Sequence, residues 1–453
     1  VIPAAETHAP WEVQIVAAPA VINDVVVVGS SVADSQRADA ASGKVHAFDA
    51  RTGVLKWTFD PAPGAEGRTG GGNVWSSISG DEARNLVYLP TTSLSPDFFG
   101  GGRVGDEGLA DSIVAVRANS GQLVWSFQTV HHDLWDYDLP AAPALFTLHR
   151  GGAAIPAMAF ATKQGFLFVL NRETGEPLYR VEERPVPATD VPGERTSRTQ
   201  PYSTLPILAP QSFAAKDAFG VLGFDAAACR RKLAAARNEG LFTPPSLRGS
   251  VYAPTTGGGG NWGGVAIDPS ANRLVVNTTS AVEIIQLAPH QGGNDGRGRR
   301  AEASAPQTGA PYSVRRGAAL SPLGMPCNPP PWGLLNAVDL DTGKLAWRRT
   351  LGTTSSLAPF GIALPFGTPN IGGPLVTGGG LVFIAATMEQ RMRAFEIRTG
   401  EELWAGDLPA SAQASPMTYA IGGRQFVVIA AGGHSVLNTK RGDYLVAFAL
   451  PNP

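Results

Sequence analysis

Apolar residues in this chain come in short runs separated by turn-forming residues; Val25–Val28, Leu86–Pro90, Ile113–Val116 and Phe166–Leu170 are examples. Runs of this length, bounded by Gly, Pro, Asn and Asp, predict many short strands. A longer regularity lies over them. Ala47-x-Asp49-x-x-Thr52-Gly53-x-x-x-Trp57 returns as Ala115…Ser120-Gly121…Trp125 and as Val169…Thr174-Gly175…Tyr179. It returns again as Ala337-x-Asp339-x-x-Thr342-Gly343…Trp347 and Ala394-x-Glu396-x-x-Thr399-Gly400…Trp404. Each copy predicts a hairpin: a strand, an Asx-type turn closed by Thr-Gly, and a strand ending in a large ring. Repeats of one β-unit bury their faces against each other. The fold this predicts is all-β, a propeller of about six or seven four-stranded units with Trp57, Trp125, Trp347 and Trp404 packed between them.

The units fall at 20–59, 73–129 and 141–184, then at Asn261–Asn277, 333–352, 370–409 and 413–453. Residues 185–250 interrupt the array as a Pro-rich, polar insertion with one helix candidate, which Asp225 can cap and Gly240 can end. In that candidate Cys229, Leu233 and Ala236 share a face. No composition shift divides the chain, so residues 1–453 read as one domain. The N-terminal piece, residues 1–17, is short and atypical, and the expectation is of a processed chain or one lacking an N-terminal part.

Composition narrows the functional classes. The 54 glycines and 37 prolines suit a turn-rich β protein. A net charge of -2, with 16% charged residues and no long basic block, gives no footprint for nucleic acid. The Arg297–Arg300 cluster lies in the Gly- and Ala-rich stretch 291–311, read as a solvated loop. No apolar run is long enough for a transmembrane helix. Cys229 and Cys327, without zinc-type spacing, are either a disulfide or two buried thiols.

Chemistry concentrates in residues 131–140, His-His-Asp-Leu-Trp-Asp-Tyr-Asp-Leu-Pro. A loop this polar, leaving a strand on a rigid scaffold, is where active-site groups sit, although its acids could also cap turn amides. The block, together with Gly72-Asn-Val-Trp75 before it, Ala161-Thr-Lys163 after it, Gly372-Gly-Pro374, Ala431-Gly-Gly-His434 and the ending Gly442-Asp-Tyr-Leu-Val-Ala-Phe, resembles the pyrroloquinoline-quinone (PQQ)-dependent dehydrogenases, in the branch of membrane glucose dehydrogenase and quinate dehydrogenase. The resemblance spans essentially the whole chain.

That resemblance implies an eight-bladed propeller whose first blade is not in these residues. It implies a quinoprotein oxidoreductase acting on the CH-OH group of an alcohol, sugar, polyol or cyclic hydroxy acid, glucose by default, with a quinone or other respiratory acceptor for the electrons. Asp136 falls at the family's general base and Lys163 at the cation that hydrogen-bonds the quinone oxygens. Trp75 matches the indole beneath the planar cofactor, and Asn277 and His434 match further cofactor-side positions. A divalent cation, calcium or magnesium, would be held by Asp34, Ser95 and Asp136. Here Ser35 stands where the branch carries an Asn ligand, and Ser95 where it carries a Thr. The implied location is the periplasm, free or attached to the membrane through a segment not present here. The competing reading is a non-catalytic propeller scaffold of the outer-membrane assembly type, or an inactive fragment; such a scaffold needs the repeats but not Trp75, Asp136, Lys163 and Asn277 together.

Overall fold

Strands stand where the apolar runs stand, and they pair in antiparallel fashion, mostly with their sequence neighbours. The computed structural model describes residues 10–65, 68–105, 107–290 and 303–450. Six sheets follow one another. The first contains Ala20–Ile22, Val25–Val28, Val45–Asp49 and Leu55–Phe59, and the second Ser79–Asp81, Leu86–Pro90, Ser112–Arg117 and Leu123–Gln128. The third, three-stranded, is Ala144–Arg150, Ala153–Ala161 and Leu167–Asn171. The fourth is Ala266–Asp268, Arg273–Thr279, Gly333–Asp339 and Lys344–Thr350. The fifth is Leu375–Val376, Leu381–Ile384, Arg391–Glu396 and Glu402–Asp407, and the sixth Met417–Ile421, Arg424–Ala431 and Tyr444–Phe448. From the first sheet to the fifth, each sheet's first strand touches the next sheet's first strand, as blades do around a propeller axis. Apolar clusters fill the spaces between neighbouring sheets, Val27, Val87 and Val114 between the first two and Val275, Leu335 and Val382 between the fourth and fifth.

The repeated eleven residues explain how the blades register. Asp49 Oδ1 accepts hydrogen bonds from the amides of Arg51 and Thr52 and from the Thr52 hydroxyl at 2.9–3.1 Å, and Asp339 does the same for Asp341 and Thr342. The glycine that follows has a positive φ, and the ring of the preceding blade lies flat against it. A methyl group on Gly121 would stand 2.8 Å from the Trp57 ring, on Gly175 2.6 Å from Trp125, on Gly343 2.7 Å from Tyr179, and on Gly400 2.6 Å from Trp347. Three of these rings also donate to a carbonyl in the neighbour's turn: Trp57 Nε1 to Ala118 and Trp347 Nε1 to Ile397, both 2.8 Å, and Tyr179 Oη to Leu340. Each blade therefore reads the next through a ring and a glycine socket. Trp404 departs from the expectation of burial. It is 38% exposed, since among the described residues the sixth sheet offers it no Thr-Gly turn, and it packs edge-on against Phe448.

Two excursions leave the array. The first, after the third sheet, contains a hairpin, Val181–Pro185 with Thr199–Ser203, and the helix Gly223–Ala235. Asp225 caps from inside the first turn by accepting the Leu222 amide at 2.8 Å. The helix stops well before Gly240, since Arg237 turns to backbone pairing with Gly249 and Val251. The second excursion interrupts the fourth sheet with the strands Glu283–Pro289, Ala303–Ala305 and Tyr312–Ala318, joined by Ser250–Tyr252. Part of the stretch read as a solvated loop is thus paired strand, while Arg297–Arg300 and residues 1–9 lie outside the described residues. A Cys229–Cys327 disulfide ties the helix to the second excursion across 98 residues, deciding between the two readings of the cysteines. Among the described residues no helix is long and apolar enough to cross a membrane.

Candidate active site

The polar loop after Leu123–Gln128 sorts its side chains by alternation. Trp135 and Tyr137 are fully buried, stacked at 6.4 Å, and anchored by hydrogen bonds from Trp135 Nε1 to Thr243 O and from Tyr137 Oη to Pro254 O. Asp136 and Asp138, between and beyond them, face the other way. Asp136 has φ +56°, a left-handed conformation costing about 1–2 kcal/mol for a residue with a Cβ. The Asp133 carboxylate holds it there, accepting the amides of Trp135 and Tyr137 at 2.8 Å on either side. The rings drive the loop into the core, and the strained residue between them is the one left aimed at the site.

Lys163 enters from the turn between Ala153–Ala161 and Leu167–Asn171, with its carbonyl accepting the Gly259 amide at 2.6 Å. Its ammonium donates to Asp136 Oδ1 at 2.8 Å, Asp136 O at 2.7 Å and Asp138 Oδ2 at 3.2 Å. Asp138 also accepts the Trp75 indole N–H at 3.1 Å and the Ser93 amide at 3.1 Å. Trp75, Asp136 and Lys163 thus form one connected cluster with Asp138.

The charges in that cluster differ for physical reasons. Burial would strip the Lys163 proton, but Asp136 and Asp138 outweigh it and raise the ammonium above its ordinary range. Burial would likewise raise Asp138, yet Lys163, the Ser93 amide and the Trp75 indole hold it low. Asp136 is the exception: burial, reinforced by Asp138, exceeds the pull of Lys163 and Arg316 and pushes its carboxyl up to about 6. It stays mostly ionised at neutral pH, but as a stronger base than an ordinary carboxylate.

The other candidate positions fall into those that share the field of this cluster and those that do not touch it. Asp34 is pushed well up by burial and by the fields of Asp138 and Asp136, and Asp97 likewise by burial and by Asp34, Asp136 and Asp138. Ser95 Oγ and Asp97 Oδ1 are buried without a hydrogen-bond partner. Crowded carboxylates and orphaned oxygens suit a hard cation held by Asp34, Ser95 and Asp136. Among the described residues no three acidic, His or Cys side chains close into a cage by themselves, so such an ion would need further donors from a bound molecule. Asn277 spends its amide hydrogens on Asn370 Oδ1 at 2.6 Å and Gly372 O at 2.7 Å. His434 packs 5.3 Å from the Trp262 ring. Among the described residues no hydrogen bond or ion pair joins either of them to Asp136 or Lys163. His131 is partly exposed beside Glu183, while His132 is buried, bracketed by Glu107 at 2.9 Å and Glu194 at 3.2 Å, which fastens the first excursion to this loop. Asp97 and Arg316 escaped the sequence reading. Asp97 was signalled only by its place after Ser95-Pro96, and Arg316 by nothing.

Comparison with known proteins bears on this arrangement. Residues 3–427 match the family model described as PQQ: Glucose/ethanol/alcohol dehydrogenase, beta-propeller domain. The chain is 39% identical to quinoprotein glucose dehydrogenase of Escherichia coli over 96% of its own length and 57% of that protein's. It is 38% identical to quinate/shikimate dehydrogenase (quinone) of Acinetobacter baylyi over 98% of its length and 58% of the relative's. It is 37% identical to the glycerol dehydrogenase large subunit of Gluconobacter oxydans, again over 98% of its length and 64% of the relative's. The chain therefore spans less than two thirds of these relatives. Among solved structures, quinohemoprotein alcohol dehydrogenase from Comamonas testosteroni superposes with a TM-score of 0.66 at 22% identity, over 96% of this chain and 60% of that one, a likeness of fold.

Proposed function

Because the chain belongs to the PQQ glucose/ethanol/alcohol dehydrogenase β-propeller family, we propose that it is a quinoprotein dehydrogenase oxidising the CH-OH group of a sugar, polyol or cyclic hydroxy acid, with a quinone or another respiratory acceptor taking the electrons. The observation that carries the reading is the buried Lys163 ammonium shared between Asp136 and Asp138, with the Trp75 indole on the same carboxylate. A scaffold that only binds partner strands would have no use for it.

PQQ, when bound, supplies the hydride acceptor, and a divalent cation such as calcium polarises it. Trp75 offers a partly exposed ring on which a planar molecule can stack. Lys163, protonated at any working pH, presents fixed positive charge where oxyanion character develops. Asp136 takes the substrate hydroxyl proton. Lys163 occupies its Oδ1, so Oδ2 is the oxygen that receives it. Asp34 and Ser95 would share the cation with Asp136, and Asn277 and His434 would meet the cofactor or substrate from the neighbouring sheets. Residues 1–453 would act as one cofactor-binding domain. The Cys229–Cys327 bond supports an oxidising compartment, hence the periplasm.

The test is reconstitution with PQQ and calcium, followed by glucose, glycerol and quinate with an artificial electron acceptor. Asp136→Asn keeps the shape and removes the base, so turnover should fall by ~10²–10⁴ while the cofactor stays bound. Loss of quinone absorbance from the parent on gel filtration with metal present would overturn the proposal. Equal rates in parent and variant would remove Asp136 from its role.

A further inference from the structure

One cation at the site has no part in the mechanism above. Arg316 sits on the strand Tyr312–Ala318 of the second excursion, outside the repeated blades, and reaches back to the loop of Asp136. Its Nη1 lies 3.3 Å from Asp136 Oδ2 and 3.5 Å from Thr256 Oγ1, with the guanidinium 5.9 Å over the Phe98 ring. Oδ2 is the oxygen that Lys163 leaves free. A hydroxyl delivered to it must therefore stand beside Arg316.

Arg316 is also the most open of the three charged groups that meet there. Its side chain is 33% exposed, against 20% for Asp136 and 6% for Lys163. Among the described residues its side-chain hydrogen bonds run through Nη1 alone, which leaves the rest of the fork for a ligand. Two further acids face it, Glu283 and Asp97. Glu283 is engaged by the Thr256 amide, and among the described residues neither acid hydrogen-bonds the guanidinium, so its Nε and Nη2 stay available to a ligand. A planar, half-exposed guanidinium beside a proton-accepting oxygen is built for a carboxylate attached near the reacting carbon.

We propose that Arg316 binds the carboxylate of the substrate, and that the preferred substrates are hydroxy acids, not neutral sugars or polyols. The inference rests on Asp136 being the base.

The experiment compares the PQQ- and calcium-loaded parent with Arg316→Met and Arg316→Lys. The parent should oxidise quinate with a higher kcat/KM than glucose or glycerol. Arg316→Met should lower kcat/KM for quinate about 10–100-fold, the loss expected for a charged hydrogen bond, and lower that for glucose far less. Calorimetry with cyclohexanecarboxylate, which has no hydroxyl to oxidise, should show the same loss of affinity in Arg316→Met and recovery in Arg316→Lys. A parent that prefers glucose, a variant that loses both substrates equally, or unchanged carboxylate binding would overturn the proposal. So would weakened PQQ binding in Arg316→Met, measured by quenching of tryptophan fluorescence, since Arg316 would then be a cofactor contact. If the loaded parent oxidises nothing, the dehydrogenase reading fails, and the calorimetric result alone decides whether Arg316 is a carboxylate site.

Discussion

The ring-and-glycine contact between blades can be isolated with two matched substitutions, Gly121→Ala and Gly53→Ala. Both glycines close a Thr-Gly or Ser-Gly turn with nearly the same backbone, φ +70° and +71°. An added methyl pays the same left-handed penalty in each, about 1–2 kcal/mol, reduced by about 0.4–1 kcal/mol because alanine also restricts the unfolded chain. Their surroundings differ. At Gly121 the methyl would stand 2.8 Å from the Trp57 ring, closer than carbon atoms approach, whereas at Gly53 nothing lies within 4 Å. Trp57 cannot simply retreat, being 7% exposed and tied by Nε1 to Ala118 O. Overpacking of this kind costs about 1–3 kcal/mol. Gly53→Ala should therefore destabilise by about 1 kcal/mol and Gly121→Ala by about 2–4 kcal/mol. Urea denaturation followed by tryptophan fluorescence measures both. Equal shifts in the unfolding midpoint would mean that the penalty is purely conformational and that the ring contributes nothing to the register of the blades.

Two further outcomes follow from the same geometry. Asp136, raised to about 6 by burial, must be ionised to accept a proton, so kcat/KM should hold above pH 7 and fall about tenfold per unit below pH 6; a profile level down to pH 4.5 would assign the proton to another group. Cys229→Ser opens a bond spanning 98 residues and should cost about 2–5 kcal/mol, with proteolysis appearing first around the helix Gly223–Ala235; a variant as resistant as the parent would show that packing alone holds the excursion.

The blades were legible in the sequence, because their signals are local. An Asx turn, a positive-φ glycine and a ring at fixed spacing each satisfy their own few residues, and the repetition makes the sum legible. The Asp136 loop was visible for a related reason: its dense run of His and Asp directly after a strand, and its match to the family's motif, both lie within ten residues. The features that emerged with the fold depend on groups far apart in the chain. Nothing near Arg316 in sequence marks it, for its partner lies 180 residues away and the strand that carries it belongs to no repeat. The pairing of Cys229 with Cys327 and the exposure of Trp404, whose burial depends on what the next sheet presents to it, are equally non-local. So is the base strength of Asp136. Its neighbours in sequence announce a carboxylate, but the balance of burial, Asp138, Lys163 and Arg316 exists only once the blades are assembled around it.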